Sequence, residues 1–425
     1  MVLQLHMSTT QQKAPVHNMD QNGSNNSQRI PNVNPSPRIS RLADKLQSKV
    51  CSFPAKELQV LGRDGPFHRE RTEPLGTTQV GKQQMQLVDT PEGAEMRDCT
   101  FLAHDPRFCS IIGETPQIFR IAHKDYEFAH EGPVWLPELH RLFFVSNRLG
   151  NQETTDQRTE LWTLDPETLE TKEVVPSQPI LTANGATNWA PSKVLVEQQG
   201  HKQVGGALFS LDIATGEAEL LLDNWNGLRF NSPNDLAVCN CVVNGPSVFF
   251  TDPSCGLQQN FRTDAQLGEY VWRWDLRSGS VQVAADGFVQ PNGVVLSPDG
   301  RTAYITDTGL FRPETRTSPH TIYAYDVVRT EDSSFLQNRR VFAAADCGIP
   351  DGIKVDEQGN VWTGTGEGVA AYSPGGKLLG KIAVGEVSNM VFAGDVLVML
   401  REKEVLAAKL AIRGPPLPGM FEQVS

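Results

Sequence analysis

Pro291-Asn292-Gly293 has two near-copies in the chain, Pro233-Asn234-Asp235 and Pro350-Asp351-Gly352. Asn234 precedes Asn292 by about 58 residues, and Asn292 precedes Asp351 by about 59, a period that suits one blade of a β-propeller. Each tripeptide opens a β-rich segment and offers an amide or carboxylate oxygen at the same point of the repeat. Repeats set around an axis bring such oxygens together although they lie far apart in the chain.

Outward from these tripeptides, the chain beyond about residue 100 reads as β throughout. Short runs such as Leu142–Val145, Val194–Val196, Val248–Thr251, Ala303–Thr306 and Val361–Thr363 are bounded by glycines, prolines or polar turns. A second family of strands ends in aspartate before a turn, at Asp165, Asp212, Asp275 and Asp326, with Ala370–Tyr372 as a degenerate fifth. Those aspartates are spaced by about 47, 63 and 51 residues, again near one four-stranded blade. Blade openings fall at Glu131, the Asn184–Asn188 region, Asn234, Asn292, Asp351 and the Ser388–Asn389 region. The expectation is an all-β, six-bladed β-propeller over residues 101–413. Gln117–Ile121 is placed to complete the last blade beside a hairpin of Val396–Leu400 and Val405–Leu410, so that no sheet edge stays open at the seam.

Composition bounds what else the chain does. The net charge of −12 over 425 residues opposes nucleic-acid binding, which leaves a basic footprint. No apolar run approaches the roughly 18–20 residues that span a bilayer. The N-terminus lacks the charged and apolar regions of a secretory signal. The seven cysteines (Cys51, Cys99, Cys109, Cys239, Cys241, Cys255 and Cys347) show no C-x₂-C spacing. The reading is reduced thiols in a cytoplasmic protein. Residues 1–38 are rich in Gln, Asn, Ser and Pro and are expected to be disordered. Residues 39–100 read as a linker. Within it, Ile39, Leu42, Leu46 and Val50 define a short amphipathic helix with Arg41, Lys45 and Lys49 on other faces. Docking on the main domain, or a solvated helix, is favoured over a membrane-surface role. Residues 414–425 read as a Pro-rich tail.

Glu131, in Ala129-His130-Glu131-Gly132-Pro133-Val134-Trp135, stands just before the first convincing strand. With Asn234, Asn292 and Asp351 it makes two carboxylates and two amides, each at a blade opening. Any one of them alone reads as a turn residue. Together, four hard oxygens with two negative charges suit a divalent cation such as Ca²⁺, whereas zinc prefers the His and Cys that these positions lack.

These residues sit in motifs that resemble a known family. They are His130-Glu-Gly-Pro-Val-Trp135, Phe230-Asn-Ser-Pro-Asn-Asp-Leu236, Val248-Phe-Phe-Thr-Asp-Pro253, Gln290-Pro-Asn-Gly-Val294 with Ser297-Pro-Asp-Gly300, Ile305-Thr-Asp-Thr-Gly309 and Ile349-Pro-Asp-Gly-Ile353. In this order they resemble the senescence marker protein/gluconolactonase family over about residues 115–410, closest in flavour to the fungal lactonohydrolases. The resemblance implies a six-bladed propeller with an axial divalent cation (Ca²⁺, or else Mg²⁺, Mn²⁺ or Zn²⁺) and hydrolysis of sugar-type or related lactones. It assigns Glu131, Asn292 and Asp351 to the metal, and Asn234 to metal or substrate. Two departures stand out. Cys255, in Asp252-Pro-Ser-Cys-Gly256, stands where many relatives carry an aromatic, and the second blade opening is atypical.

The implied mechanism has the cation polarise the lactone carbonyl, with Asp351 as base for the attacking water or, alternatively, as nucleophile. Arg229 and Asn231 are candidates for binding substrate oxygens, with a loop-bracing role weighed equally. His123 and His130 invite comparison with the His pair of another lactonase family, but read as structural or exposed. Gly364–Gly368 lacks the helix a dinucleotide site needs, and no G-x-S-x-G elbow is present. Two alternatives remain at this stage: a non-catalytic binding platform, and a phosphotriester-type hydrolase using the same site.

Overall fold

The computed structural model describes residues 101–114, 116–241, 245–309 and 319–417, and the backbone of 52–54 and 59–60. The disordered tail, the basic amphipathic helix and the last residues of the Pro-rich tail, as read from the sequence, lie outside the described residues.

Six antiparallel sheets form the six expected blades. Blade 1 comprises Glu131–Leu136, Arg141–Val145, Leu161–Leu164 and Thr171–Glu173. Blade 2 comprises Ala183–Ala190, Lys193–Gln198, Ala207–Asp212 and Ala218–Leu222. Leu236–Cys241, Gly245–Asp252, Tyr270–Asp275 and Val281–Ala285 make blade 3. Pro291–Leu296, Thr302–Asp307, Thr321–Arg329 and Ser334–Ala344 make blade 4. Blade 5 is built from Ile353–Val355, Val361–Thr365, Gly368–Tyr372 and Leu378–Ala383. Blade 6 takes Asn389–Ala393, Val396–Arg401 and Glu404–Lys409 from one end of the chain and Gln117–His123 from the other. The first strands touch one another in an unbroken ring, from blade 1 through blade 6 and back to blade 1.

Alternation along the strands explains why the sheets stack face to face. Successive strand residues point to opposite faces, so an apolar run such as Val396–Leu400 sends Val396, Val398 and Leu400 to one neighbouring blade and Leu397 and Met399 to the other, and six hydrophobic clusters fill the six blade-to-blade interfaces. Blades 2 and 3, for example, clamp Leu195, Leu208, Phe230, Val248, Phe250 and Trp272, all essentially buried. Each such side chain contributes roughly 1.5–3 kcal/mol by leaving water. The seam between blades 6 and 1 is as well filled as the others, with Phe119, Phe128, Trp135, Phe144 and Leu400 inside it.

The aspartates at the ends of third strands behave as turn residues where the strand stops. Asp165 accepts from the N–H of Glu167, Asp212 from those of Ala214 and Thr215, and Asp275 from those of Arg277 and Ser278. Asp326 differs because its strand runs on to Arg329, and its carboxylate instead meets Arg340 and Asn338. The stretch read as linker adds strands of its own. Ser52–Pro54 pairs outside Gln117–His123, and Gln59–Val60 pairs in parallel with Phe101–Ala103, itself a fifth strand of blade 5. A one-and-a-half-turn helix, Arg107–Ile112, caps the interface of blades 5 and 6 with Phe108, Ile111 and Ile112.

At the far end of the axial channel, where the first strands finish, is a cavity of about 380 Å³ lined by Val134, Asn188, Val238, Val294, Lys354 and Pro415, among others. No helix among the described residues is long and apolar enough to cross a membrane.

Candidate active site at the axial mouth

Register places the sequence-derived residues at one end of the channel. Asn292 and Asn184 each sit in a bulge just inside the first pair of their blade, Pro291↔Asp307 and Ala183↔Gln198. Glu131 takes the position of Pro291, one residue earlier, paired with Val145. Its longer side chain compensates for that offset. Asn234 and Asp351 occupy the same level at the head of blades 3 and 5, their amides bonded to Thr251 O and Gly364 O.

The blades hold this ring tightly. A Cβ on Gly132, Gly185 or Gly293 would lie 2.5, 2.4 or 2.8 Å from the carbonyl oxygen of Asn184, Asn234 or Asp351, the axial residue of the next blade. A glycine after the axial residue is therefore what lets adjacent blades close. Blade 3 departs from this, with Asp235 in place of glycine. Its carboxylate accepts from the amides of Leu236 and, across the interface, Val294. Hydroxyls pin the carbonyls as well: Thr251 donates to Asn292 O at 2.6 Å and Thr306 to Asp351 O at 3.0 Å.

The polar atoms at the mouth are under-satisfied. Oδ1 of Asn184, Asn234 and Asn292 is buried without a hydrogen-bond partner in each case. Leaving a buried acceptor unpaired costs roughly 1–3 kcal/mol, so three side by side mark a place built to receive donors or a cation. Glu131 is buried, and its Oε2 accepts from Asn389 Nδ2 at 2.7 Å and from the Gly132 amide. Burial raises the Glu131 carboxyl, against the pull of His130. Burial also pushes Asp351 well above the usual carboxylate range, reinforced by repulsion from Glu131. Two carboxylates that resist ionising beside each other are relieved by a positive charge between them. Among the described residues no three His, Cys, Asp or Glu side chains cluster tightly enough to hold a metal. Any cation here therefore relies on the amide oxygens as well. Two carboxylates and orphaned amide oxygens form a hard, all-oxygen donor set, which fits Ca²⁺ or a similar ion.

The other sequence candidates fall elsewhere. Arg229 lies in a small hairpin above blade 3, with its guanidinium on Asp264 at 2.5 Å. Asn231 is buried and spent on its loop: Oδ1 accepts from the amides of Gln266 and Leu267, and Nδ2 donates to Leu267 O and Gly268 O. Asn231 is thereby engaged at both ends of its amide, while Arg229 keeps Nε without a partner. His123 is exposed. His130 is placed differently, next to Glu131, with Nδ1 2.7 Å from Glu402 Oε1. Burial opposes its charge, but the Glu402 carboxylate outweighs this and holds the imidazole at about 9. Asn147 Nδ2 donates to the second Glu402 oxygen at 3.0 Å.

Two further participants, Asn184 and Asn389, are bracketed by the sequence only as blade-opening regions, and two more, Glu402 and Glu197, are not indicated by it. The signal for Asn184 is the Asn-Gly step shared with Asn292-Gly293, whereas Asn188 lies at the far end, donating to Trp135 O. Asn389 turns its amide onto Glu131 rather than to the axis. Glu402 is brought in by blade closure. Glu197, at the register of Thr251 and Thr306 in the second strand of blade 2, is fully buried with neither oxygen bonded. Burial, with Asp235, Asp252 and Glu131 adding to it, favours its neutral acid form.

A closed six-bladed propeller with an oxygen-lined axial mouth defines the class, and the comparisons give the family. Residues 129–400 match the SMP-30/gluconolactonase/LRE-like region, and the chain belongs to that family. It is 30% identical over 381 residues to a lactonohydrolase, oryL, of Aspergillus oryzae, covering 82% of this chain and 83% of that one. It is 29% identical to a gluconolactonase of Zymomonas mobilis, covering 65% and 75%. A gluconolactonase structure from Xanthomonas campestris superposes with a TM-score of 0.59 at 26% identity, covering 73% of this chain and 94% of that one.

Proposed function

We propose that the protein is a divalent-cation-dependent lactonase that opens a sugar-type or related lactone by attack of water. The observation that carries this reading is the set of orphaned, buried Oδ1 atoms of Asn234 and Asn292 between the carboxyl groups of Glu131 and Asp351. The relatives named as lactonohydrolase and gluconolactonase support the reaction class. Glu131, Asn292 and Asp351 would hold the cation, with Asn234 facing metal and substrate. When bound, the cation supplies the electrophile that polarises the lactone carbonyl.

The chain's own residues do the rest. Asp351 takes the proton of the attacking water and returns one to the ring oxygen as the C–O bond breaks, which leaves a hydroxy acid. Asn389 and the Gly132 amide fix Glu131 in one orientation, so the ring geometry does not have to be found at each turnover. Thr306 fixes the Asp351 backbone in the same way. His130, clamped by Glu402, keeps a positive charge beside the two carboxylates and limits their mutual repulsion.

Metal analysis and lactone hydrolysis on purified protein, with and without chelator, test the proposal. Stoichiometric divalent metal and chelator-sensitive opening of a lactone are expected. A protein that binds no metal and opens no lactone is a scaffold, and preferential cleavage of phosphotriesters would reassign the substrate class.

A further inference from the structure

We infer that Arg148 is a specificity residue at the mouth, and that the ring system it receives carries an anionic substituent, a carboxylate or a phosphate, besides the lactone group. This rests on the lactonase reading for the reaction but not for the anion site itself.

The placement comes from register. Val145 is opposite Glu131, so Arg148 lies three residues beyond the axial level on the mouth side. Its guanidinium leaves blade 1 and reaches the segment above blade 3, where it donates to Gln259 and Gln152 and packs 5.6 Å from the Phe261 ring centre. That segment begins at Cys255, whose Sγ accepts from Gln290 Nε2 at 3.0 Å, two residues before Asn292. The Cys255 sulfur and, on the other side, Glu402 both act on the Arg148 charge without forming an ion pair. Arg148 thus stands among groups from blades 1, 3, 4 and 6 that all border the mouth.

Its charge has no ion-pair partner among the described residues. The neighbouring arginines show the alternative: Arg229 and Arg262 share Asp264, at 2.5 and 3.5 Å. Among the described residues Arg148 has no carboxylate partner, and its hydrogen bonds go to neutral amides. The two Glu402 oxygens bond to His130 and Asn147 rather than to Arg148. Arg148 Nε is buried and makes no hydrogen bond, as is true of Arg229 Nε and Arg262 Nη2, but those two guanidiniums have a carboxylate and Arg148 does not. Burial works against the guanidinium charge as well. A cation held half out of water with a free N–H, beside a site for a neutral ring, is the arrangement that recognises an oxyanion on the ligand. A lactone with only hydroxyl substituents leaves that charge uncompensated.

The test compares three lactones on the full-length, metal-loaded protein: glucono-δ-lactone (neutral), glucaro-1,4-lactone (carboxylate) and 6-phosphoglucono-δ-lactone (phosphate). Arg148→Gln is expected to lower kcat/KM for one of the anionic lactones at least about tenfold more than for the neutral one, chiefly through KM, with Arg148→Lys recovering part of the loss. Which anionic substrate suffers identifies the group. Equal losses on all three, or no added loss on either anionic lactone, would overturn the assignment. A second arm measures binding of glucarate, 6-phosphogluconate and gluconate by calorimetry. If the wild type opens no lactone yet binds an anion that Arg148→Gln does not, the anion site stands and the lactonase reading falls. Equal binding to both proteins removes the anion site.

Discussion

The two ends of one channel are built from the same six strands and differ in almost every respect. At the mouth, the strands begin with Glu131, Asn184, Asn234, Asn292 and Asp351, and three of these amide oxygens have no partner. At the far end the same strands present Val134, Val238, Val294 and Val355 around the cavity, and the axial polar side chains there have partners. Asn188 donates to Trp135 O, and Lys354 lies 3.7 Å from Asp235. The unpartnered oxygens of the axial asparagines therefore all lie at one end. A fold that satisfied only its own stability would treat both ends alike, so the imbalance locates the chemistry.

Substitutions at the two ends should separate accordingly. The largest effect is expected for Asp351→Asn, with lactone turnover falling about 10²–10⁴-fold while urea unfolding shifts little. Retained turnover in that variant would sink the assignment of the base. Gly185→Ala comes next, at about 1–3 kcal/mol of stability, because the new methyl meets the Asn234 carbonyl and that backbone atom has to move. A wild-type denaturation midpoint would show that the blades do not close as described.

The His130–Glu402 pair gives a pH signature in chelator-treated protein. Its folded pKa of about 9 lies above the unfolded value of about 6.5. The stability it adds is complete below about pH 6.5 and is lost as pH rises through about 9, an effect of about 1–3 kcal/mol. Glu402→Gln should flatten that part of the stability–pH curve, and an unchanged slope would mean the pair contributes nothing. The smallest effect belongs to the far end. Asn188→Ala should cost about 0.5–1.5 kcal/mol for one hydrogen bond, with turnover within about twofold of wild type. A large activity loss there would erase the contrast between the ends.

How far the site could be read from the sequence follows from the same contrast. Pro-Asn-Gly and Pro-Asp-Gly are legible because a local steric demand, the next blade's carbonyl at the glycine Cβ position, repeats with the fold. Glu131-Gly132 and Asn184-Gly185 obey the same demand without the proline, which is why blade 2 was only bracketed. Asn234-Asp235 breaks the glycine rule because Asp235 makes the cross-blade bonds with its side chain instead. Asn389 falls within the Ser388–Asn389 blade opening, but its bond to Glu131, like the roles of Glu402 and Arg148, has no local signature. Their partners are fixed by closure of the ring and by segments meeting above it, and no spacing encodes those contacts. For Arg229 and Asn231 the sequence leaves substrate binding and loop bracing open, and the hydrogen bonds of Asn231 and the Arg229–Asp264 pair supply the bracing contacts.

The bond from Asn389 to Glu131 has a temporal consequence. It joins residues 258 positions apart, and the sheet holding Asn389 is finished only when Gln117–His123 docks on Glu404–Lys409. A ribosome making this chain releases Glu131 early, long before the strand that steadies it exists. Contacts of such sequence separation form late and slowly. Competence at the mouth should therefore appear as a single late event in refolding, together with the last blade. A chain interrupted between Asp351 and Asn389 would carry all five ring residues but lack the bond that steadies Glu131.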